Sequence, residues 1–258
     1  MDNIPAYNKE AWNREVEGGE SRWTQPVDPD TIAKARKGEF SIVLTENIPV
    51  PHSWFPPLQN ADVLCLASGG GQQGPVLSAL GANVTVFDNS PAQLKQDQLV
   101  AGRESLSLIT VEGDAADLSI FPDESFDLVF NPCSTLFMPD VRAVWRECAR
   151  VLRKGGILMT GSINPIHYIF DLFKADDEGV LEVKHSIPYA DINNLSKEEL
   201  SRYVDNGLPV EFGHSLTDLL GGQLDAGLVI TDMYEDYMND FPLHKHHPSY
   251  IATRAVKS

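Results

Sequence analysis

The sequence predicts an α/β fold, a doubly wound and mostly parallel seven-stranded sheet, and three observations carry that prediction. Short, almost wholly apolar runs such as DVLCLAS (62–68) alternate with amphipathic ones. Strands buried on both faces read this way beside the helices that cover them. A glycine-rich turn, SGGGQQG (68–74), follows the first apolar run. The alternation then holds from Ala61 to Asn164, which requires right-handed crossovers and helices on both faces of the sheet.

Taken in order, residues 1–60 lack strong periodicity but carry Trp12, Trp23 and Trp54, and leave through NIPVPHSWFPPL. Proline fixes φ and removes donors, so this exit reads as an extended connector, and residues 1–60 as an aromatic-bearing arm over a ligand. The core, 61–164, opens with the strand DVLCLAS and the helix GPVLSALGA, closed by Gly81. NVTVFDN is the second strand, and SPAQLKQDQLVAGRES a helix with Ser90 as N-cap and Pro91 at its first position. LSLITVEGDAADL gives a third strand and ESFDLVFNP a fourth. VRAVWRECARVLRKGG is an amphipathic helix running to Gly155-Gly156, and GILMTGSIN a fifth strand.

After Asn164 the rhythm changes. IHYIFDLFKADDEG reads as helix, LEVKHSIPYAD and LPVEFGHS as strands, and SKEELSRYVDNG as a helix with a Ser196/Glu199 capping box. This small α+β insertion, 165–214, is predicted to cap the carboxyl edge of the sheet, where ligands bind in such folds. Residues 215–258 supply a last helix, LTDLLGGQLDAG, and two strands that complete the core sheet.

The formal net charge of -17 and a pI near 4.7 weigh on the choice of partner. Such a chain repels phosphate backbones and anionic lipid, so neither nucleic acid nor a membrane is an expected partner. The N-terminus has no basic and apolar signal-peptide regions, and no run reaches membrane-spanning length. Cys65, Cys133 and Cys148 are odd in number and lack C-x-x-C spacing, which fits a reducing cytoplasm. HKHH (244–247) lies in a Pro-flanked loop without partnered carboxylates, and no metal site is expected. No sequence feature points to an oligomeric state.

Gly69, Gly71 and Gly74 satisfy G-x-G-x-x-G, with Asp88 at the tip of the second strand placed for a ribose. Glycine serves either a dinucleotide or a methyl donor here, because the backbone must turn sharply and let a ligand approach without a Cβ. Only the dinucleotide needs a pyrophosphate on the next helix. The surrounding segments separate the two. Asp88 is followed by Gly113-Asp114-Ala115-Ala116-Asp117-Leu118, then Ser125-Phe126-Asp127, then Arg150-Val151-Leu152-Arg153-Lys154-Gly155-Gly156. Over residues 60–162 this combination resembles the class I S-adenosylmethionine-dependent methyltransferases of the ubiquinone/menaquinone-methyltransferase-like, small-molecule type. The resemblance implies a Rossmann-like methyltransferase fold, S-adenosylmethionine as cofactor and a small-molecule acceptor. The first motif departs from the family's V-L-D-L-G-C-G-x-G: Cys65 stands at the acidic position and Ala67 at the first glycine.

The resemblance implies that Asp88 takes the ribose and Asp114 the adenine, while Ala67, Ser68, Gly69, Gly71 and Gln73 line the methionine. Asn89, Ser90, Gly113, Ala115, Asn131 and Pro132 complete the expected cofactor contacts, and Trp12 and Trp23 are candidates to close over the sulfonium by cation–π attraction. Asn131-Pro132 resembles the start of the N-P-P-aromatic motif of amino-group methyltransferases, but the second proline and the aromatic are absent. His52, His167, His185, His214, Tyr168 and Tyr189 are the candidate bases. His167 and Tyr168, which follow the fifth strand, are the expected catalytic pair. A cofactor-binding protein without catalysis and an NAD-dependent oxidoreductase remain as alternatives.

Overall fold

The computed structural model describes residues 3–258. Its main sheet is built from β1 (Asp62–Leu66), β2 (Asn83–Asp88), β3 (Leu108–Glu112), β4 (Phe126–Asn131), β5 (Leu152–Ile163), β8 (Leu228–Asp236) and β9 (Tyr250–Lys257). A separate two-stranded ribbon pairs β6 (Tyr189–Ala190) with β7 (Phe212–Gly213). The main sheet has the order β3-β2-β1-β4-β5-β9-β8. Strands β1 to β5 run parallel, and β9 is antiparallel to both β5 and β8. The chain winds outward from β1 through β2 to β3, then crosses to β4 on the other side. The crevice this reversal opens at the carboxyl ends of β1 and β4 is where such sheets bind ligands.

The alternation of side chains sorts the apolar runs onto two faces. From β1, Val63 and Cys65 join one core with Ile32, Val76, Leu77, Leu94 and Val100. These come from α2 (Pro29–Ala35), α3 (Gln73–Ala79) and α4 (Pro91–Glu104). Leu64 and Leu66 point to the opposite core, which holds α5 (Val141–Val151). Val144, Trp145, Cys148 and Val151 of that helix are completely buried, at spacings that put them on one stripe. Burying each large apolar side chain of this stripe stabilises the fold by ~2 kcal/mol.

The expected helix through Gly155-Gly156 stops early. Helix α5 ends at Val151, and Leu152 already pairs with Phe126 on β4. Arg153–Gly156 bulge out before Ile157 resumes the ladder opposite Leu128. The Arg153 guanidinium fixes this bulge by ion pairs of 2.8 Å to Asp62 and 2.8 Å to Asp127, at the starts of β1 and β4.

The arm is more helical than its sequence suggests. It forms α1 (Ile4–Gly18) and α2, and its Pro-rich exit is extended except for a single turn at His52–Trp54. Helix α1 lies along α4, with Asn13 Oδ1 accepting from the Ser90 hydroxyl at 2.8 Å. Ser90 caps α4 as expected, accepting from the Gln93 N–H at 3.2 Å.

Between β5 and β8 lie α6 (Leu172–Glu178), α7 (Asp191–Asn194), α8 (Lys197–Asp205) and α9 (Gly222–Asp225). The two strands expected there shrink to β6 and β7. Beyond them a single bridge, Phe170 to Val183, is reinforced by side-chain pairs: Lys184 bonds Asp171 at 2.9 Å and Glu199 at 2.6 Å. Helix α8 carries the expected Ser196/Glu199 capping box.

Candidate active site

A cavity of about 280 Å³ runs along the carboxyl edge of the main sheet. Its wall is drawn from the ends of β1, β2, β3, β4 and β5, from the start of β9, and from the arm.

The turn after β1 begins with Ala67 at φ +45°, in the left-handed region that a glycine adopts freely. Its N–H donates to Phe87 O at 2.7 Å, which ties the turn to β2. The amides of Gly69, Gly70 and Gly71 are engaged. Gly69 N donates to Asp88 Oδ2 at 2.9 Å, while Gly70 N and Gly71 N donate to Asp97 Oδ2 at 3.0 and 3.1 Å. Asp97 comes from α4 and is completely buried. Burial, with Asp88 nearby, pushes its carboxyl up to about 8, against the pull of the two N–H donors. The loop is therefore held by a carboxyl from α4, while Cys65 occupies the position of the missing strand carboxylate. The Cys65 thiol is fully buried, and burial holds its proton on.

The arm seals the outside of this turn. Val27 N donates to Gly71 O at 3.0 Å, and Gln72 Nε2 donates to Arg22 O and Gln25 O at 2.9 and 3.0 Å. A Cβ on Gly70 would stand 2.8 Å from Trp23 O, and one on Gly69 would stand 2.6 Å from Gln93 Cβ. Glycine is thus required by the close approach of arm and α4 as well as by the turn.

The structure brings most of the expected cofactor residues to the cavity wall. Ala67, Ser68, Gly69 and Gln73 line it from the first turn, and Asp88 and Asn89 from the end of β2. Gly113, Asp114 and Ala115 line it from the end of β3, and Pro132 from the end of β4. Trp12 and Trp23 face it from the arm, with Trp12 edge-on to Phe137 at 5.1 Å. Burial raises the Asp88 carboxyl, opposed by the Gly69 and Ser90 amides.

Three expected residues stand behind the wall and shape it. Gly71 takes φ +73° in the loop, and Ser90 caps α4. Asn131 is buried and joins strand ends: its Nδ2 donates to Leu66 O and Ser134 Oγ at 2.8 Å each, and its Oδ1 accepts from Thr160 Oγ1 at 2.9 Å.

The expected catalytic pair is not at the wall. His167 is buried between Tyr168 and Phe241, with ring centroids 5.0 and 4.3 Å away. Burial lowers its pKa to about 4, and its Nδ1 has no partner. Tyr168 is buried in the same cluster, and its hydroxyl donates to Glu211 Oε2 at 2.8 Å. The short turn after β5 (Pro165–Ile169) packs these side chains inward, against Phe241 and Tyr189. The other candidates are also occupied elsewhere. His52 stacks on Phe40, His214 Nε2 lies 3.1 Å from Thr135 O, His185 packs on Tyr189, and the Tyr189 hydroxyl donates to Asp191.

Sequence reasoning missed Asp97, Gln93 and Glu211. Gln93, Leu94, Asp97 and Val100 are the buried residues of α4, so a carboxyl in an apolar stripe was a visible signal for Asp97. Glu211 carries no local signal, since its place at the wall depends on how 165–214 folds back.

The charge of the wall selects among ligands. Its ionic side chains are Asp88, Asp114 and Glu211, with no Lys, Arg or His among the lining residues. These acceptors fit a cation that carries hydroxyl and amino donors, as S-adenosylmethionine does, and disfavour a pyrophosphate.

The methyltransferase domain family model matches residues 64–160. The chain is 48% identical to the "uncharacterized methyltransferase YbaJ" of Bacillus subtilis (strain 168) over 100% of both chains. Among solved structures, it is similar to an S-adenosylmethionine-dependent methyltransferase from Mesorhizobium loti. That match has a TM-score of 0.60 and 16% identity, and covers 80% of this chain and 94% of the other. It is also similar to a geranyl diphosphate methyltransferase in complex with S-adenosylmethionine, with a TM-score of 0.53 and 16% identity, covering 80% of this chain and 82% of that one. With a full-length methyltransferase relative, the family's domain across its first five strands and the same fold, the chain belongs to the class I S-adenosylmethionine-dependent methyltransferases.

Proposed function

We propose that the cavity divides at β1 and β4 into a cofactor half and an acceptor half, and that the acceptor is a small molecule. In the cofactor half Asp88 accepts from the ribose hydroxyls, Asp114 reads the adenine amino group, and Ala67, Ser68, Gly69 and Gln73 line the methionine. Trp12 and Trp23 present aromatic faces toward the sulfonium. When bound, S-adenosylmethionine supplies an electrophilic methyl group. The protein's part is to orient the acceptor and exclude water, which the arm and the 165–214 cap do by roofing the carboxyl edge. The net charge of -17 argues against a nucleic-acid acceptor, and the scattered cysteines favour action in the cytoplasm.

The observation that carries the assignment is the occupation of the loop amides. The Gly69, Gly70 and Gly71 N–H groups donate to Asp88 and Asp97, so they are not free to cradle a pyrophosphate. Calorimetry with S-adenosylhomocysteine and with NADH tests this directly. S-adenosylhomocysteine should bind, NADH should not, and Asp88→Ala should weaken the former by about 10- to 100-fold, the value of charge-assisted hydrogen bonds. Unchanged affinity in Asp88→Ala refutes the ribose assignment, and NADH binding in its place refutes the cofactor half.

A further inference from the structure

Past the ends of β4 and β5 and the start of β9 the cavity wall changes character. Leu136, Ile163, Met238 and Tyr250 make it mainly apolar, and Cys133 and Glu211, with the smaller Asn8, Thr45 and Ser134, add polar groups. Glu211 enters from the residue before β7, and a double tether holds it. Its backbone N–H donates to Asp191 Oδ2 at 2.7 Å, and its Oε2 accepts from the Tyr168 hydroxyl at 2.8 Å. Tyr189 backs this arrangement, stacking on Tyr168 at 5.2 Å and donating to Asp191 Oδ1 at 2.8 Å. Glu211 Oε1 has no hydrogen-bond partner among the described residues, and no cation pairs with the carboxylate. The ionisable groups acting on it are Asp191, Tyr168 and Asp176, and it acts in turn on Cys133, Tyr189 and Tyr203. Burial and the neighbouring Asp191 push the carboxyl up to about 8, a range in which a carboxylate takes a proton readily.

A tethered carboxylate with one free oxygen and no counter-ion, in an apolar half-cavity, is equipped to take a proton from a ligand. Once ionised, above about pH 8, the same group turns anions away. Resting on the division of the cavity stated above, we propose that Glu211 is the proton acceptor for the methylated atom. The acceptor is then an apolar molecule without carboxylate or phosphate that carries a nucleophilic N–H or O–H. The lone pair of that nitrogen or oxygen forms the bond to the methyl carbon, the carbon–sulfur bond breaks with its pair left on sulfur, and the N–H or O–H proton passes to Glu211 Oε1. Tyr168, expected from the sequence to act directly, instead holds Oε2 and leaves Oε1 free.

Three probes of similar shape test the proposal: benzylamine, para-cresol and benzoate, titrated at pH 9, where Glu211 is ionised, onto the protein saturated with S-adenosylhomocysteine. Benzylamine or para-cresol should bind at least about tenfold more tightly than benzoate, and Glu211→Gln should erase that margin. Affinity for S-adenosylhomocysteine should stay within about threefold in the variant. Transfer of labelled methyl to the bound probe should fall about 100-fold or more in Glu211→Gln, the usual contribution of a positioned base. Benzoate binding as well as the others, no probe binding, or a margin that survives in Glu211→Gln each overturns the proposal. Loss of S-adenosylhomocysteine binding by the unmodified protein overturns the cofactor half, and this inference with it. Should Glu211→Gln fail to fold, Glu211→Asp withdraws the carboxyl by one methylene. It should lower transfer at least about tenfold at unchanged S-adenosylhomocysteine affinity, and full activity overturns the proposal.

Discussion

Asp97→Asn isolates the carboxyl that holds the glycine loop. Asp97 Oδ2 accepts from two backbone N–H groups at 3.0 and 3.1 Å, and its Oδ1 is buried without a partner. Asparagine has the same shape and keeps the accepting oxygen, so the loop geometry survives and only the titration is removed. In the fold the carboxyl is pushed up to about 8, chiefly by burial, whereas in the unfolded chain it titrates near ~4. The folded state therefore holds a proton that the unfolded state has lost between those values. Stability from this group is full below ~4 and declines as pH rises toward ~8. At ~1.4 kcal/mol for each tenfold difference in proton affinity, the decline across the window is on the order of 5 kcal/mol. Asp97→Asn lacks it. Urea unfolding of both proteins at pH 5, 7 and 8.5 reads the difference, because every other titrating group is common to the pair. The variant should lie within about 1 kcal/mol of the unmodified protein at the acid end, where the ~1.4 kcal/mol already lost between pH 4 and 5 offsets its partnerless amide. It should lie several kcal/mol above at the alkaline end. Parallel stability curves would refute the reasoning.

Two further substitutions probe the same wall. Ala67→Gly relieves a left-handed alanine at φ +45°. It should raise stability by about 0.5–1 kcal/mol in urea unfolding, as ~1–2 kcal/mol of strain relief outweighs the entropy that glycine adds to the unfolded chain. A loss of stability would show that the alanine methyl is needed for packing. Gly161→Ala puts a Cβ at 2.0 Å from Leu44 O, the carbonyl that accepts from Cys133 N. The arm must then move off β5, with an expected cost of about 1–3 kcal/mol and weaker S-adenosylhomocysteine binding, since Leu44 and Cys133 both line the cavity. Unchanged melting and affinity would show that the arm is not seated there.

The legible parts of this protein are those whose physics is local. β1 to β5, the glycine turn and the N-cap of α4 declare themselves through apolar runs, a Gly cluster and a Ser-Pro start. Helix α1 does not, because its buried residues are Ile4, Asn8 and Ala11. That stripe is narrow and has an asparagine at its centre. The end of α5 was misread because RVLRKGG looks like a helix terminus. Its arginine is instead claimed by Asp62 and Asp127, 91 and 26 residues earlier in the chain. The cavity wall at Ala67–Gly69, Asp88–Asn89, Gly113–Ala115 and Pro132 was readable from four segments that each follow a strand. The wall at Glu211 was not, since Glu211 gains its surroundings from Tyr168 and Asp191, and a sequence carries no record of which loop residues face each other.

The arm's seating on the glycine turn bears on how binding communicates through the molecule. The cavity is walled by Pro5 near one end of the chain and Tyr250 near the other, with β1 to β5 between them. A ligand in that cavity bridges segments almost a whole chain length apart. It thereby cross-links the molecule without a covalent bond, and its binding free energy adds to the stability of the complete fold. Fraying of either end therefore removes part of the cavity wall and weakens binding.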